Sequence, residues 1–125
     1  MNEINLPDVI AELAEIHSRY EQALMDNDVA TLNSLFWDSD RTVRYGIGEN
    51  LYGFEAIRAF RAAAKPAARM LKNTIINSYG RDFATISTEF HRDGWNRCGR
   101  QSQTWVRRPQ GWRIVSAHVS IIDIA

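Results

Sequence analysis

The sequence predicts an α+β fold in which three N-terminal helices pack on a strongly curved, mostly antiparallel sheet. Apolar residues recur at three- and four-residue steps in the first half of the chain, which is typical of amphipathic helices. From about residue 69 the pattern changes to a period of two, which is typical of half-buried strands. Helices followed by a run of strands favour a domain with its helices on one face of the sheet.

The first helix is predicted over residues 6–26. Its apolar face consists of Val9, Ile10, Leu13, Ile16, Tyr20, Ala23 and Leu24. Pro7 is tolerated in the first turn, because the backbone N–H groups there have no partner within the helix. Asn5 is expected to cap this helix, since asparagine side chains accept hydrogen bonds from first-turn N–H groups.

Two shorter helices are predicted over residues 29–36 and 54–64. Asp28 is expected to cap the first of them. Between the two helices, the alternating residues 41–47 indicate a strand, and the glycine-containing residues 48–53 indicate a turn.

Four long strands are predicted over residues 69–80, 82–92, 98–108 and 111–123. The short connections between them indicate an antiparallel meander. A curved sheet wrapped on a long helix leaves a cone-shaped cavity, which is a common place for a ligand. At 125 residues the chain has the length of one domain, residues 1–125.

The composition argues against several classes of partner. The formal net charge is zero, so the basic surface expected of a nucleic-acid-binding protein is absent. No apolar run is long enough to span a bilayer, and the N-terminus lacks a signal-like core, so a cytoplasmic protein without a membrane partner is expected. The basic residues are 13 arginines and two lysines, and arginine is the better ligand for carboxylates.

Arg44 is the first candidate site residue. Side chains alternate along a strand, so Thr42, Arg44 and Gly46 share one face. If that face lines the cavity, the missing side chain of Gly46 leaves space for a ligand beside the guanidinium. A buried arginine needs an anion or a protein carboxylate as partner. Two interpretations therefore stay open: an anion site, or a structural arginine that pairs with a glutamate or lies on the outer surface of the sheet.

Tyr20 lies on the apolar face of the first predicted helix, in register with Ile16 and Leu24. At this spacing a tyrosine is commonly a core aromatic whose hydroxyl finds a backbone partner. The alternative is a phenol directed into the cavity, where it would donate a hydrogen bond to a substrate carbonyl or transfer a proton.

Trp105, His118 and Asn73 are further candidates for substrate binding. Trp105 shares a strand face with Gln101 and Gln103, which point either into the cavity or toward a sheet-to-sheet dimer interface. His118 alternates with apolar neighbours, so its face of the strand is either solvated or lined by ligand. Asn73 is the weaker candidate, within the first long strand.

No metal or cofactor is expected from sequence motifs. His17 and His91 are expected at the surface, and no pair of histidines has metal-ligand spacing with a carboxylate. Cys98 has no second cysteine to form a disulfide with, and a single cysteine in a strand is commonly an apolar filler.

Two segments, LFWDSDRTVRYGIGENLYGFEAIRAFR and GRQSQTWVRRPQGWRIVSAHVS, resemble the AtzH-like family. This family belongs to the NTF2-like superfamily, the cone-shaped fold of ketosteroid isomerase and SnoaL-type cyclases. The resemblance implies that Tyr20 and Arg44 form the active pair, and that the ligand is a small carboxylated urea. An isomerase-type general base is missing, because Arg44 and Tyr45 lie where such relatives carry an acidic residue.

Three functional hypotheses follow. The first is a cofactor-free hydrolase of a small anionic urea-like amide, of the urea-1,3-dicarboxylate or oxalurate type, in ureide catabolism. The second is a non-catalytic, dimeric binding or accessory protein of an amidase pathway. The third is a SnoaL-like cyclase or isomerase acting on a larger apolar ligand. A homodimer built on the exposed face of the sheet is also expected, because that face is rich in apolar residues.

Overall fold

The computed structural model describes residues 3–64 and 67–124. The elements in chain order are α1 (Pro7–Met25), α2 (Val29–Ser34), β1 (Val43–Tyr45), β2 (Asn50–Tyr52), α3 (Phe54–Ala63), β3 (Met70–Tyr79), β4 (Phe83–His91), β5 (Arg97–Arg108) and β6 (Gly111–Asp123). The predicted three helices and four long strands are confirmed. The predicted turn at 48–53 contains the additional short strand β2.

All six strands form one sheet in the order β2-β1-β6-β5-β4-β3. Consecutive long strands pair antiparallel, as the meander prediction requires. The exception is β1, which pairs parallel with β6 and antiparallel with β2. The result is an α+β fold with a curled, mostly antiparallel sheet.

Helix α1 packs on the inner face of the sheet, which is the face that carries the core. Its apolar stripe includes Val9, Leu13 and Tyr20, each at most 3% exposed. These side chains belong to one cluster with residues of β4, β5 and β6, among them Ile86 and Trp105. Burying one such side chain contributes roughly 1.5–3 kcal/mol, so the stripe holds the helix on the sheet.

The two predicted caps have different outcomes. The Asp28 carboxylate accepts a hydrogen bond from the backbone N–H of Thr31 and so caps α2, as predicted. The prediction that Asn5 caps α1 is wrong. Asn5 lies in the left-handed region, with φ of 59°, and its Oδ1 accepts from the backbone N–H of Ser78 in β3. Its side chain therefore ties the chain start to the sheet.

Gly99 in β5 allows the ring of Phe90 to approach the β5 backbone closely on the inner face of the sheet. A Cβ at this position would collide with the ring of Phe90 on the neighbouring strand. The ring therefore lies directly over the β5 backbone, at one end of the cone.

Among the helices that the structure describes, none is both long and apolar enough to cross a membrane.

Candidate functional site

A cavity of about 350 Å³ lies at the open end of the cone, between α1, α3 and the inner face of the sheet. This is the size range of small-ligand sites. Its polar and aromatic lining comprises Tyr20, Arg44, Glu49, Phe60, Arg61, Arg69, Phe90, Arg92 and Gln101. Four arginines around one cavity of this size indicate an anion-binding site.

Arg44 lies on the inner face, with its side chain 11% exposed. Its Nη1 donates to Oε2 of Glu49 at 2.8 Å, and its guanidinium lies 5.0 Å from the centre of the Phe60 ring. The expected free space beside Gly46 is taken by Glu49, because a Cβ at position 46 would collide with that carboxylate. Arg44 thus combines both interpretations, since it lines the cavity and also forms an ion pair.

Arg61 was missed by the sequence analysis. It is 4% exposed, and it makes no ion pair with any carboxylate of the described residues. Burial lowers the pKa of the Arg61 guanidinium from its ordinary value, and hydrogen bonding with Tyr20 opposes this shift. Its burial could have been predicted from its spacing of four residues from the buried Ile57, because this spacing places the arginine on the apolar face of α3.

Arg69 is held by a bidentate contact. Its Nε and Nη2 each donate to the Glu21 carboxylate at 2.8 Å, and Nη2 also donates to Oε1 of Gln101 at 3.2 Å. Its guanidinium lies 4.7 Å from the centre of the Phe90 ring. These contacts fix both ends of the group, so Arg69 presents a pre-oriented positive charge to the cavity.

Arg92 is the second arginine of the cavity lining, after Arg61, that has no carboxylate partner among the described residues. Its guanidinium lies 4.7 Å from the centre of the Trp95 ring and 5.7 Å from that of Phe90. Its Nε is buried and has no hydrogen-bond partner. Gln101 Nε2, on the opposite strand, is also buried without a partner. Unpaired buried donors are costly unless a ligand satisfies them.

The charges of the site do not balance. Four guanidiniums, of Arg44, Arg61, Arg69 and Arg92, face two carboxylates, those of Glu21 and Glu49. This leaves an excess of two positive charges around the cavity. A ligand with two negative charges would relieve their desolvation and mutual repulsion.

Tyr20 is 3% exposed and contributes to the cavity wall from α1. Its ring packs at 6.4 Å from that of Phe36 and stacks at 6.5 Å on His17. The prediction that His17 is a surface residue is wrong, because it is 5% exposed and its Nε2 has no partner. Burial lowers the pKa of His17, so its neutral form is favoured behind Tyr20.

Trp105 belongs to the core and does not line the cavity. It is fully buried, and its Nε1 donates to Oε1 of Gln103 at 3.1 Å. Gln103 is satisfied by this contact at the closed end of the cone, whereas Gln101 lies at the cavity. Neither glutamine faces the outer side of the sheet, so the alternative of a dimer-interface position is wrong for both.

His118 and Asn73 lie outside the cavity. His118 is exposed on the outer face, where its ring meets that of Tyr45 edge-on at 5.8 Å. The predicted alternation of His118 with apolar neighbours along β6 is confirmed, but Ala117 and Val119 are the residues that point inward. Asn73 lies at a bulge of β3 with φ of 55° and donates to Glu89 on the outer face.

Two further grooves lie beside α2 and the β5–β6 turn, with volumes of about 370 and 620 Å³. Their basic members include Arg108 and Arg113, which rest on Trp37 and on backbone carbonyls, respectively. Neither groove is lined by a buried polar atom that lacks a partner. The Arg-lined cavity is therefore the stronger candidate site among the described residues.

A curled antiparallel sheet closed by a long helix, with its cavity at the open end of the cone, defines an NTF2-like protein. The chain belongs to the AtzH-like family, whose model matches residues 2–125. No curated protein is significantly similar to the chain.

Several solved structures share both sequence and fold with the chain. A protein of unknown function from Pectobacterium atrosepticum is 56% identical, with a TM-score of 0.93 over 96% of this chain and 95% of that chain. A cystatin-like fold protein from Burkholderia xenovorans is 46% identical, with a TM-score of 0.96 over 100% of both chains. An NTF2-like superfamily protein from Salmonella enterica is 28% identical, with a TM-score of 0.75 over 90% of each chain.

Proposed function

We propose that this protein is a cofactor-free hydrolase of a small anionic urea-like amide, of the urea-1,3-dicarboxylate or oxalurate type. Of these two, urea-1,3-dicarboxylate has two carboxylates and oxalurate has one, and the charges of the cavity favour the dianion. The observation that carries the proposal is the pair of uncompensated guanidiniums, Arg61 and Arg92, in a cavity of about 350 Å³. Two carboxylates of one ligand would neutralise them. Hydrogen bonds between ionised partners are worth roughly 1.5–3 kcal/mol each, which is enough to select dianions over monoanions.

The reaction is hydrolysis of the amide bond next to the bound carboxylate. Water adds to the carbonyl carbon, the C–N bond breaks, and one proton of the water passes to the departing nitrogen. Tyr20 would donate a hydrogen bond to the carbonyl oxygen as negative charge develops there. Arg61 and Arg92 would hold the two carboxylates, with Arg44 as a further donor beside them, and so fix the carbonyl against Tyr20.

A second candidate is a dicarboxylate-binding accessory protein without catalysis. The observation that favours it is that Arg44 and Arg69 already have carboxylate partners, so the cavity is well ordered as a receptor. A SnoaL-like cyclase or isomerase fits less well, because the arginine-rich lining does not suit a large apolar ligand.

Turnover and binding measured together separate these functions. The hydrolase is expected to release ammonia or carbon dioxide from a carboxylated urea, and to bind malonate at least tenfold more tightly than acetate. Arg44→Ala is expected to abolish carboxylate binding, a loss of roughly 2–3 kcal/mol, while the fold survives. Binding without turnover of any ureide would leave the accessory function, and equal affinity for malonate and acetate would exclude both.

A further inference from the structure

The outer face of the sheet carries a cluster of three metal-ligating side chains that the cavity does not use. Glu89 and His91 are two residues apart on β4, and Cys98 lies opposite His91 on β5. His91 Nε2 lies 3.0 Å from Glu89 Oε1, and Cys98 Sγ lies 3.4 Å from that oxygen and 3.9 Å from His91 Nε2. Alternation along two paired strands brings the three groups together.

These separations match the edges of a tetrahedral metal site. With metal–ligand bonds of about 2.0–2.3 Å, neighbouring ligand atoms around Zn²⁺ lie about 3.3–3.6 Å apart. The three observed separations fall within about half an ångström of that range, so small side-chain adjustments centre an ion among them. Thiolate, imidazole and carboxylate together form a donor set that Zn²⁺ favours.

Asn73 supports the cluster from the neighbouring strand. Its Nδ2 donates to Oε2 of Glu89 at 2.9 Å, which leaves Oε1 directed at His91 and Cys98. The β3 bulge and the left-handed backbone of Asn73 place this amide beside the carboxylate. Groups that orient a ligand in this way are a regular part of protein metal sites.

We propose that Glu89, His91 and Cys98 form a binding site for Zn²⁺ or a cation of similar size and softness, with Asn73 as the residue that orients Glu89. The site has three protein ligands and an open fourth position. In the single chain, ions reach the site from solvent, since the Glu89 and His91 side chains are 37% and 17% exposed before this face is covered in a dimer. Spacing along the sequence does not indicate this site, because its ligands lie on two strands and include only one histidine.

Cys98 would bind the metal as a thiolate. Metal binding therefore releases the thiol proton, and affinity is expected to rise with pH.

Titration of the reduced, tag-free protein with Co²⁺ and Zn²⁺ tests the site. One Co²⁺ per chain is expected to give a thiolate-to-cobalt charge-transfer band, which stoichiometric Zn²⁺ removes. Cys98→Ser should abolish the band, and Glu89→Gln should weaken Zn²⁺ binding by at least tenfold. Asn73→Ala should cost about tenfold, as outer-shell substitutions commonly do.

His118→Ala is the matched control, because it removes an exposed histidine from the same face without touching the cluster. It is expected to leave both metals' affinities unchanged. Circular dichroism of each variant establishes whether it is folded. If Cys98→Ser does not fold, Glu89→Gln decides the outcome. Absence of the charge-transfer band in the unmodified protein would overturn the proposal, as would Zn²⁺ affinity that is the same in folded Cys98→Ser or Glu89→Gln as in the unmodified protein.

Discussion

Glu49 holds a carboxylate oxygen 2.8 Å from Nη1 of Arg44, in the space that the missing side chain of Gly46 leaves open. Any anion that uses Arg44 must therefore compete with an internal carboxylate. Glu49→Gln keeps the shape of that side chain and removes its charge. Binding of malonate to this variant is expected to tighten by about tenfold, which titration calorimetry measures.

Glu55→Gln is the matched control for this prediction. Glu55 pairs with Arg58 on the exposed side of α3, and its loss should leave malonate affinity unchanged. Weaker malonate binding by Glu49→Gln would show that Glu49 orients Arg44 rather than competing for it.

Arg61 is expected to oppose stability while supporting binding. Arg61→Met keeps a long, flexible side chain and removes a buried charge that has no carboxylate partner among the described residues. The free energy of unfolding of the unliganded protein should rise by about 1 kcal/mol or more, because replacing buried charge with apolar volume is often stabilising. Malonate binding should weaken by roughly 2–3 kcal/mol.

Chemical denaturation and calorimetry measure the two effects on the same preparation. Arg58→Met, on the exposed face of the same helix, controls for the general effect of removing an arginine. A fall in the stability of Arg61→Met would mean that Arg61 is held by a structural partner, and it would remove the main support for an anion site.

Tyr20→Phe tests the chemistry. The substitution keeps the ring that packs against Phe36 and removes only the hydroxyl, so a folded protein is expected. Hydrolysis of a carboxylated urea should fall by about a hundredfold or more, with substrate still bound. Unchanged turnover would take Tyr20 out of the mechanism.

A homodimer formed through the outer face of the sheet is expected. That face exposes apolar side chains such as Ile75, Phe83 and Ile122, which are 58%, 43% and 39% exposed. Ile75→Glu should shift the protein toward monomer in light scattering, because it places a charge in the expected apolar contact. Ile47→Glu, at the mouth of the cavity, is the control. A monomeric unmodified protein would refute the prediction.

His17 predicts how stability depends on pH. Burial lowers the pKa of His17 in the folded protein, while the imidazole of the unfolded chain keeps a pKa of about 6.5. Between these two values the unfolded state binds more protons, so stability falls as the pH drops below about 6.5. His17→Phe should flatten this loss in urea denaturation between about pH 7 and 5. His118→Phe controls for the loss of an exposed histidine, and an unaltered slope in His17→Phe would count against the buried neutral imidazole.

The sequence predicted regular elements well because period alone determines them. The alternation around Arg44 correctly grouped it with Thr42, and both lie on the inner face. Alternation groups residues by face, however, and does not say which face is inside. His118 was a candidate for ligand contact for that reason, although its apolar neighbours point inward.

The remaining errors concern contacts between residues far apart in the chain. Asn5 has the residue type of a helix cap, but Ser78, 73 residues away, supplies a better partner. Arg61 looks like one of many surface arginines until α3 is docked on the cone. His17 is hidden for the same reason, since its burial depends on packing that no local pattern encodes.

The short strand β1 has a consequence for how the protein admits a ligand. It is three residues long and is the parallel link between β6 and the segment that carries β2 and α3, whereas β5 and β6 have 12 and 13 residues. Arg44, Glu49 and Arg61 all lie on this lightly attached segment, and Tyr20 and Arg69 lie on the rest. Short pairings open at lower free-energy cost, so amide hydrogens of β1 should exchange faster than those of β5. A dianion bound between Arg61 and Arg92, which follows β4, would connect the two parts, so its binding should slow amide exchange in β1 first.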